Sequence, residues 1–162
     1  MKQNKNKYDG DIVIVGGGII GGCLACILGQ VGFNIVLLDA DIKSENSFKE
    51  NDPRVFAITI ASERILKKAG AWLLLNEQDI SPFRRMHVWD ENGNGEIRFE
   101  SAAICEPTMG YIIPHRAILH ALHKKICDLE NVNHIKGVSP IKIERNVNVM
   151  ILDADNEQQF KS

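Results

Sequence analysis

Short apolar runs typical of strands alternate with segments typical of helices along the chain, and their order predicts an α/β fold. Residues 11–15 form a short β-branched run that is typical of a fully buried strand. Residues 19–31 then carry the small and apolar side chains of a helix, with Gly32 placed to end it. Residues 34–39 form a second apolar run. This order predicts a strand–helix–strand unit that opens a parallel sheet.

The pattern changes to shorter elements downstream. The polar residues 40–53 predict a loop, and residues 61–69 predict a short helix that Gly70 ends. Residues 85–89 and 96–99 flank a run of Asp, Asn and Gly, which predicts a β-hairpin. The other predicted elements are a strand at 111–113, a helix at 115–129, and strands at 132–135, 141–145 and 149–153. Residues 160–162 begin one more strand, so we expect the chain to end inside an incomplete β-meander.

Composition narrows the range of functions. The 162 residues are 44% hydrophobic and 25% charged with a net charge of −2, as in an ordinary globular domain. The basic residues are dispersed, which argues against nucleic-acid binding. The basic start, residues 1–7, lacks the apolar core of a signal peptide, and the four cysteines show no disulfide framework. These features favour a cytoplasmic location for the protein.

The glycine-rich segment Gly16-Gly-Gly18-Ile-Ile-Gly21 fits the dinucleotide-binding pattern Gly-x-Gly-x-x-Gly. Gly16 allows a tight turn after the strand, Gly18 leaves room for a pyrophosphate, and Gly21 lets the helix pack on the strand. The pyrophosphate would face the helix N-terminus, where unpaired N–H groups favour an anion.

Asp39 completes this unit at the end of the second strand. Its carboxylate is placed to accept hydrogen bonds from the ribose hydroxyls of an adenosine, and it would repel a 2′-phosphate. The pattern therefore indicates an ADP-containing dinucleotide without distinguishing FAD from NAD.

Three sequence blocks after Asp39 resemble those of the FAD-dependent hydroxylases of ubiquinone biosynthesis. They are Asp52-Pro-Arg-Val-Phe-Ala57 with Leu66–Trp72, Pro82–Asp90 with Gly95–Phe99, and Met109–Ile113 with Arg116. The resemblance runs from Asp11 to the end of the chain, and these blocks are more specific than the glycine loop. They favour FAD over NAD.

This resemblance implies a class A flavoprotein monooxygenase with the fold of para-hydroxybenzoate hydroxylase. Such enzymes bind FAD, take a hydride from NAD(P)H and use O₂ to hydroxylate an electron-rich ring. The implied substrate is a prenylated phenol or quinol, whose apolar tail would bring the protein to the inner membrane surface or into a complex of biosynthetic enzymes. Because the flavin carries the chemistry, we expect neither catalytic side chains nor metal ligands.

The resemblance also implies roles for individual residues. Gly16, Gly18 and Gly21 would hold the FAD pyrophosphate, and Asp39 the adenosine ribose. Arg54 and Arg116 resemble arginines near the cofactor, although a surface ion pair is an equally good interpretation of each. Pro114-His115 departs from the family's Glu-Asn, which affects the expected contacts with the flavin.

The expected architecture is a Rossmann-like FAD-binding domain joined to part of a mixed substrate-domain sheet, truncated relative to the family. Residues 8–79 would form the FAD-binding βαβ core, 80–113 the start of the substrate sheet, and 114–162 a return to the FAD domain with the incomplete meander. Family members are more than twice as long and carry later cofactor motifs. We therefore expect the chain alone to be inactive. The alternatives are a non-catalytic or remnant dinucleotide-binding module and an NAD-linked dehydrogenase.

Some residues suggest other chemistry but fit structural roles better. Cys23 and Cys26 have redox spacing, yet they lie where small side chains pack a helix on a sheet. His120 and His123 are interpreted as part of a solvated helix face rather than metal ligands. Trp72 and Trp89 are interpreted as packing residues.

Overall fold

The structure is a computed structural model that describes residues 9–41, 52–147 and 149–162. Its α-helices within these ranges are α1 (Ile19–Gln30), α2 (Ile60–Lys68) and α3 (His115–Cys127). Its strands are β1 (Ile12–Val15), β2 (Ile35–Asp39), β3 (Val55–Thr59), β4 (Ser81–Phe83), β5 (Arg85–Trp89), β6 (Glu96–Glu100), β7 (Gly110–Pro114), β8 (Val132–Lys136), β9 (Pro140–Arg145), β10 (Met150–Ala154) and β11 (Gln159–Lys161). Most of the predicted loop 40–53 lies outside the described residues.

A parallel sheet with the order β1-β2-β8 organises the chain. Ile12 pairs with Ile35 at one side of β2, and Ile35 pairs with Val132 at the other. The central strand β2 is therefore buried along almost its whole length. The prediction that β1 is also fully buried was wrong. β1 is an edge strand of this sheet, and Val15 is 48% exposed.

Helices α1 and α3 pack together on one face of this sheet and form the main core. The buried face of α1 consists of small residues, among them Gly22, Ala25 and Cys26. The side chain of Leu122 from α3 fills the space above Gly22. The small residues thus let two helices approach closely, and Gly32, with a φ of +97°, follows the end of α1 as predicted.

The opposite face of the parallel sheet is covered by an antiparallel sheet with the order β11-β10-β9. Val36 and Leu38 pack there with Leu152 and Phe160. The predicted meander strands are thus present, and the incompleteness of the meander stays a prediction. The N–H of Lys161 donates to the Asp9 carboxylate at 2.8 Å, so part of the β11 edge is occupied by the start of the described chain.

A third sheet, with the order β3-β7-β4, was not predicted as such. Residues 55–59 form a short apolar run without the alternation of apolar and polar side chains that marks a half-buried strand. In the structure four of these five residues are exposed. This sheet joins strands from residues 8–79 and 80–113, and the division of the chain into those segments stays a prediction. The β5–β6 hairpin is confirmed, with Val88 opposite Ile97.

Among the described helices, none combines the length and the apolar character needed to cross a membrane.

Candidate dinucleotide-binding site

The glycine loop connects β1 to α1 at the carboxyl end of the parallel sheet. Gly16 has a φ of +100°, a conformation that side chains disfavour, and its N–H donates to the Leu38 carbonyl at 2.7 Å. A Cβ atom on Gly21 would overlap the Gly16 carbonyl oxygen. The loop is therefore closed on itself by contacts that only glycine permits at these two positions.

Gly18 is the N-cap of α1 and provides no side-chain cap for the first turn. A Cβ atom there would meet nothing within 4 Å. The first N–H groups of a helix have no intrahelical partner, and the helix dipole adds partial positive charge at the same end. Open space, uncapped donors and positive potential together fit the pyrophosphate of a dinucleotide.

Asp39, the last residue of β2, lies beside this loop. Its carboxylate is in contact with Gly17, and Oδ1 accepts a hydrogen bond from the Asp41 N–H at 3.2 Å. The side chain is 19% exposed. Asp39 is thus close to the glycine loop and partly open to solvent, as a ribose acceptor needs to be.

Two histidines lie on the inner side of Asp39. The Nε2 atom of His134 is 3.8 Å from Asp39 Oδ2, and the rings of His134 and His123 are 5.2 Å apart. Burial, followed by the neighbouring His123 and Lys136, lowers the pKa of His134 to about 4. The interpretation of a solvated helix face holds for His120, which is exposed, and is wrong for His123, which is 6% exposed. Its position next to Leu122 and three residues before Ile126 places it within the apolar stripe of α3.

The two candidate arginines lie in a second group, at the start of α3. Arg54 donates from Nε and from its terminal nitrogen to Asp52, at 2.8 and 2.7 Å. The Asp52 carboxylate also lies 3.4 Å from Nδ1 of His115, and Arg116 is the next residue of α3, half-buried. The structure therefore pairs Arg54 with an acid while leaving its side chain 65% exposed.

Asp52 is the centre of this second group. The hydrogen bonds from Arg54, and to a lesser extent from His115, hold the pKa of Asp52 well below its ordinary value. The departure Pro114-His115 thus gives Asp52 an imidazole partner. The His115 ring also contacts the Phe56 ring, with 5.4 Å between the two centroids. The departure is visible in the sequence, whereas the contact of His115 with Asp52 is not.

The cysteines of α1 are structural in the way that the sequence suggests. Cys23 and Cys26 are buried, and burial raises their thiol pKa values to about 11 and about 12. Trp72 packs edge-on against Tyr111, whereas Trp89 is 68% exposed on the hairpin.

Comparison with known proteins links this geometry to one family. The chain is 34% identical over 122 residues to the ubiquinone biosynthesis monooxygenase COQ6 of Rattus norvegicus, a match that covers 72% of the chain. It is 32% identical over 113 residues to the 3-demethoxyubiquinol 3-hydroxylase of Escherichia coli, covering 69% of the chain. Over its matched part, the chain belongs to the ubiquinone-biosynthesis hydroxylase family. No protein-family model matches the chain.

The chain also resembles a solved structure in its fold. The flavin-dependent monooxygenase PieE, solved with FAD and substrate, has a TM-score of 0.68 to the chain at 15% identity. That match covers 93% of this chain and 29% of PieE. At this identity the likeness shows the fold, which is the predicted α/β fold of a flavoprotein monooxygenase.

The chain matches only part of the length of these relatives. The chain spans 25% of the rat protein and 29% of the Escherichia coli protein.

Proposed function

We propose that the chain provides the FAD-binding part of an NAD(P)H- and O₂-dependent monooxygenase that hydroxylates a prenylated phenol or quinol in ubiquinone biosynthesis. The observation that carries this proposal is the arrangement of the glycine loop and Asp39 around an open, uncapped helix N-terminus. The names of the relatives support the reaction and the substrate class.

In this proposal each group of the site has one task. Gly18 and the first turn of α1 hold the pyrophosphate, because the missing side chain leaves the N–H groups accessible. Gly16 and Gly21 fix the loop, and Asp39 accepts the ribose hydroxyls. A bound flavin supplies the redox and oxygen chemistry, while the protein positions it and excludes water.

Arg54 and Arg116 are proposed to approach the cofactor from the start of α3. Arg54 would do so as a pair with Asp52, since two of its nitrogens already donate to that carboxylate. A paired arginine keeps a fixed orientation, which favours a positioning role over that of a mobile surface cation.

The substrate's apolar tail leads to a further part of the proposal. We place the protein in the cytoplasm with peripheral contact at the inner membrane, where a prenylated ring partitions. Contact with other enzymes of ubiquinone biosynthesis would deliver such a substrate.

Titration of the purified chain with FAD, followed by quenching of flavin fluorescence, tests the cofactor assignment. We expect saturable binding that Asp39→Asn weakens by about 1 kcal/mol or more, since a charge-assisted hydrogen bond is lost. Asp128→Asn is the matched control, because Asp128 is exposed at the end of α3. Preference for NAD over FAD would refute the flavin assignment.

A second candidate is a non-catalytic dinucleotide-binding module, since the glycine loop and Asp39 account for dinucleotide binding without any catalytic side chain. Oxidation of NADH by the FAD-loaded chain, coupled to formation of a hydroxylated product, separates the two. Tight FAD binding without turnover would support the module. Turnover would support the monooxygenase and contradict our expectation that the chain alone is inactive.

A further inference from the structure

Three potential metal ligands converge behind the glycine loop. Asp39 ends β2, His134 lies on the neighbouring strand β8, and His123 lies on α3. His134 pairs in register with Leu37, so its side chain is on the face of the sheet that α3 covers. One ligand atom from each of the three residues lies within 4.8 Å of the other two.

The chemistry of these three groups suits a transition-metal ion. Imidazole nitrogen and carboxylate oxygen are ordinary ligands of Zn²⁺. His134 Nε2 is buried, and its distance of 3.8 Å to Asp39 Oδ2 is too long for a hydrogen bond.

We propose that Asp39, His123 and His134 form a binding site for a divalent transition-metal ion, with Zn²⁺ as its probe. Tetrahedral ligands at about 2.0–2.1 Å from zinc lie about 3.3 Å from one another. The three side chains therefore need to close by about 1.5 Å at most, which rotations about χ1 and χ2 provide. A water molecule completes the coordination, since the Asp39 side chain is 19% exposed.

This site would share Asp39 with the dinucleotide. If the ribose also bonds to the Asp39 carboxylate, metal and dinucleotide compete for one group. That consequence rests on the proposed function, whereas metal binding itself does not.

Calorimetric titration of the purified full chain with Zn²⁺ at neutral pH, without dinucleotide, tests the site. We expect one site that His134→Asn weakens by at least about tenfold. His120→Asn is the matched control, because His120 is exposed on the same helix and lies outside the cluster. We expect Mg²⁺ to bind far more weakly than Zn²⁺, since it prefers oxygen ligands.

Asp39→Asn provides a second, partly exposed position that is less damaging to the core, and circular dichroism shows whether each variant is folded. Equal Zn²⁺ affinity in the wild type and in both cluster variants would overturn the proposal, as would the absence of Zn²⁺ binding. If His134→Asn does not fold, the result with Asp39→Asn decides.

A competition experiment separates this proposal from the proposed function. With both correct, saturating Zn²⁺ lowers FAD affinity in the wild type and has no such effect in His134→Asn. If Zn²⁺ binds but leaves FAD affinity unchanged, the metal site stands and the shared use of Asp39 is refuted. If FAD does not bind to the wild type with or without Zn²⁺, only the proposed function is refuted and the metal site is not.

Discussion

The carboxylate of Asp39 occupies the space that a side chain on Gly17 would need. A Cβ atom on Gly17 would overlap Oδ2 of Asp39 and lie 2.8 Å from its carboxyl carbon. Gly17 is not one of the three glycines that define the dinucleotide-binding pattern. The closeness of Asp39 therefore explains why the middle residue of the run Gly16-Gly17-Gly18 is also a glycine.

This relationship predicts that Gly17→Ala acts through Asp39. The added methyl group would push the carboxylate away from its place beside the loop, so we expect FAD affinity to fall as it does in Asp39→Ala. In a double-mutant cycle the two effects should not add, because each variant removes the same interaction. Fluorescence titration of the two single variants and the double variant measures this coupling.

Additive effects in that cycle would contradict the assignment. They would mean that Gly17 and Asp39 affect FAD binding independently.

The other glycines of the loop predict a separation of stability from binding. Gly21→Ala places a Cβ atom against the Gly16 carbonyl oxygen, so we expect a loss of about 1–3 kcal/mol in the free energy of unfolding. Gly18→Ala meets open space at an extended backbone, so we expect a change below about 1 kcal/mol but weaker FAD binding. Urea unfolding and FAD titration of both variants provide the comparison.

The opposite ranking in stability would show that the contact of Gly21 with Gly16 does not constrain the loop. Unchanged FAD affinity in a folded Gly18→Ala variant would argue against pyrophosphate binding at this helix end.

The opening unit and the meander were predictable from the sequence because their signals are local. The glycine loop, Asp39 and Gly32 each have a backbone or chemical requirement that a single residue type reveals. The resemblance in the blocks after Asp39 supplied the family, which local patterns could not do.

Other features depend on distant partners and were not predictable in this way. Strand β3 is defined by its pairing with β7, about fifty residues later, and its own exposure pattern has no alternation. The contact between the rings of His123 and His134 joins a helix to a strand that follows it, and no local pattern pairs these two residues. Asp52 begins the first of the three blocks that carry the resemblance, but only the fold brings it to His115.

The ion pair of Asp52 predicts a pH dependence of stability. Its folded-state pKa lies below the ordinary value of 3.8, so its contribution is present above that pH and is lost as the pH falls below it. We expect Asp52→Asn to remove part of the loss of stability between pH 5 and pH 3. Urea unfolding at several pH values measures this difference, with Asp128→Asn as the exposed control. Equal pH dependence in the wild type and Asp52→Asn would contradict the assignment.

The raised thiol pKa values predict selective alkylation. Cys23 and Cys26 are buried with pKa values of about 11 and about 12, so little thiolate forms at pH 8. We expect iodoacetamide to modify the exposed Cys105 in the native chain and to leave both α1 cysteines unmodified. In urea all of them should react, as peptide mass spectrometry would show. Rapid native labelling of Cys23 or Cys26 would support the redox interpretation that we reject.

The packing of α3 on α1 predicts the largest single loss of stability among these variants. Leu122 is fully buried and its side chain lies directly above Gly22 of α1, so its neighbours have little freedom to collapse into a cavity. We expect Leu122→Ala to lower the free energy of unfolding by about 2–5 kcal/mol. Leu73→Ala is the matched control, because the same atoms are removed from a side chain that is 89% exposed. We expect a change below about 0.5 kcal/mol there. Similar losses in the two variants would mean that α1 and α3 do not form the core of the folded chain.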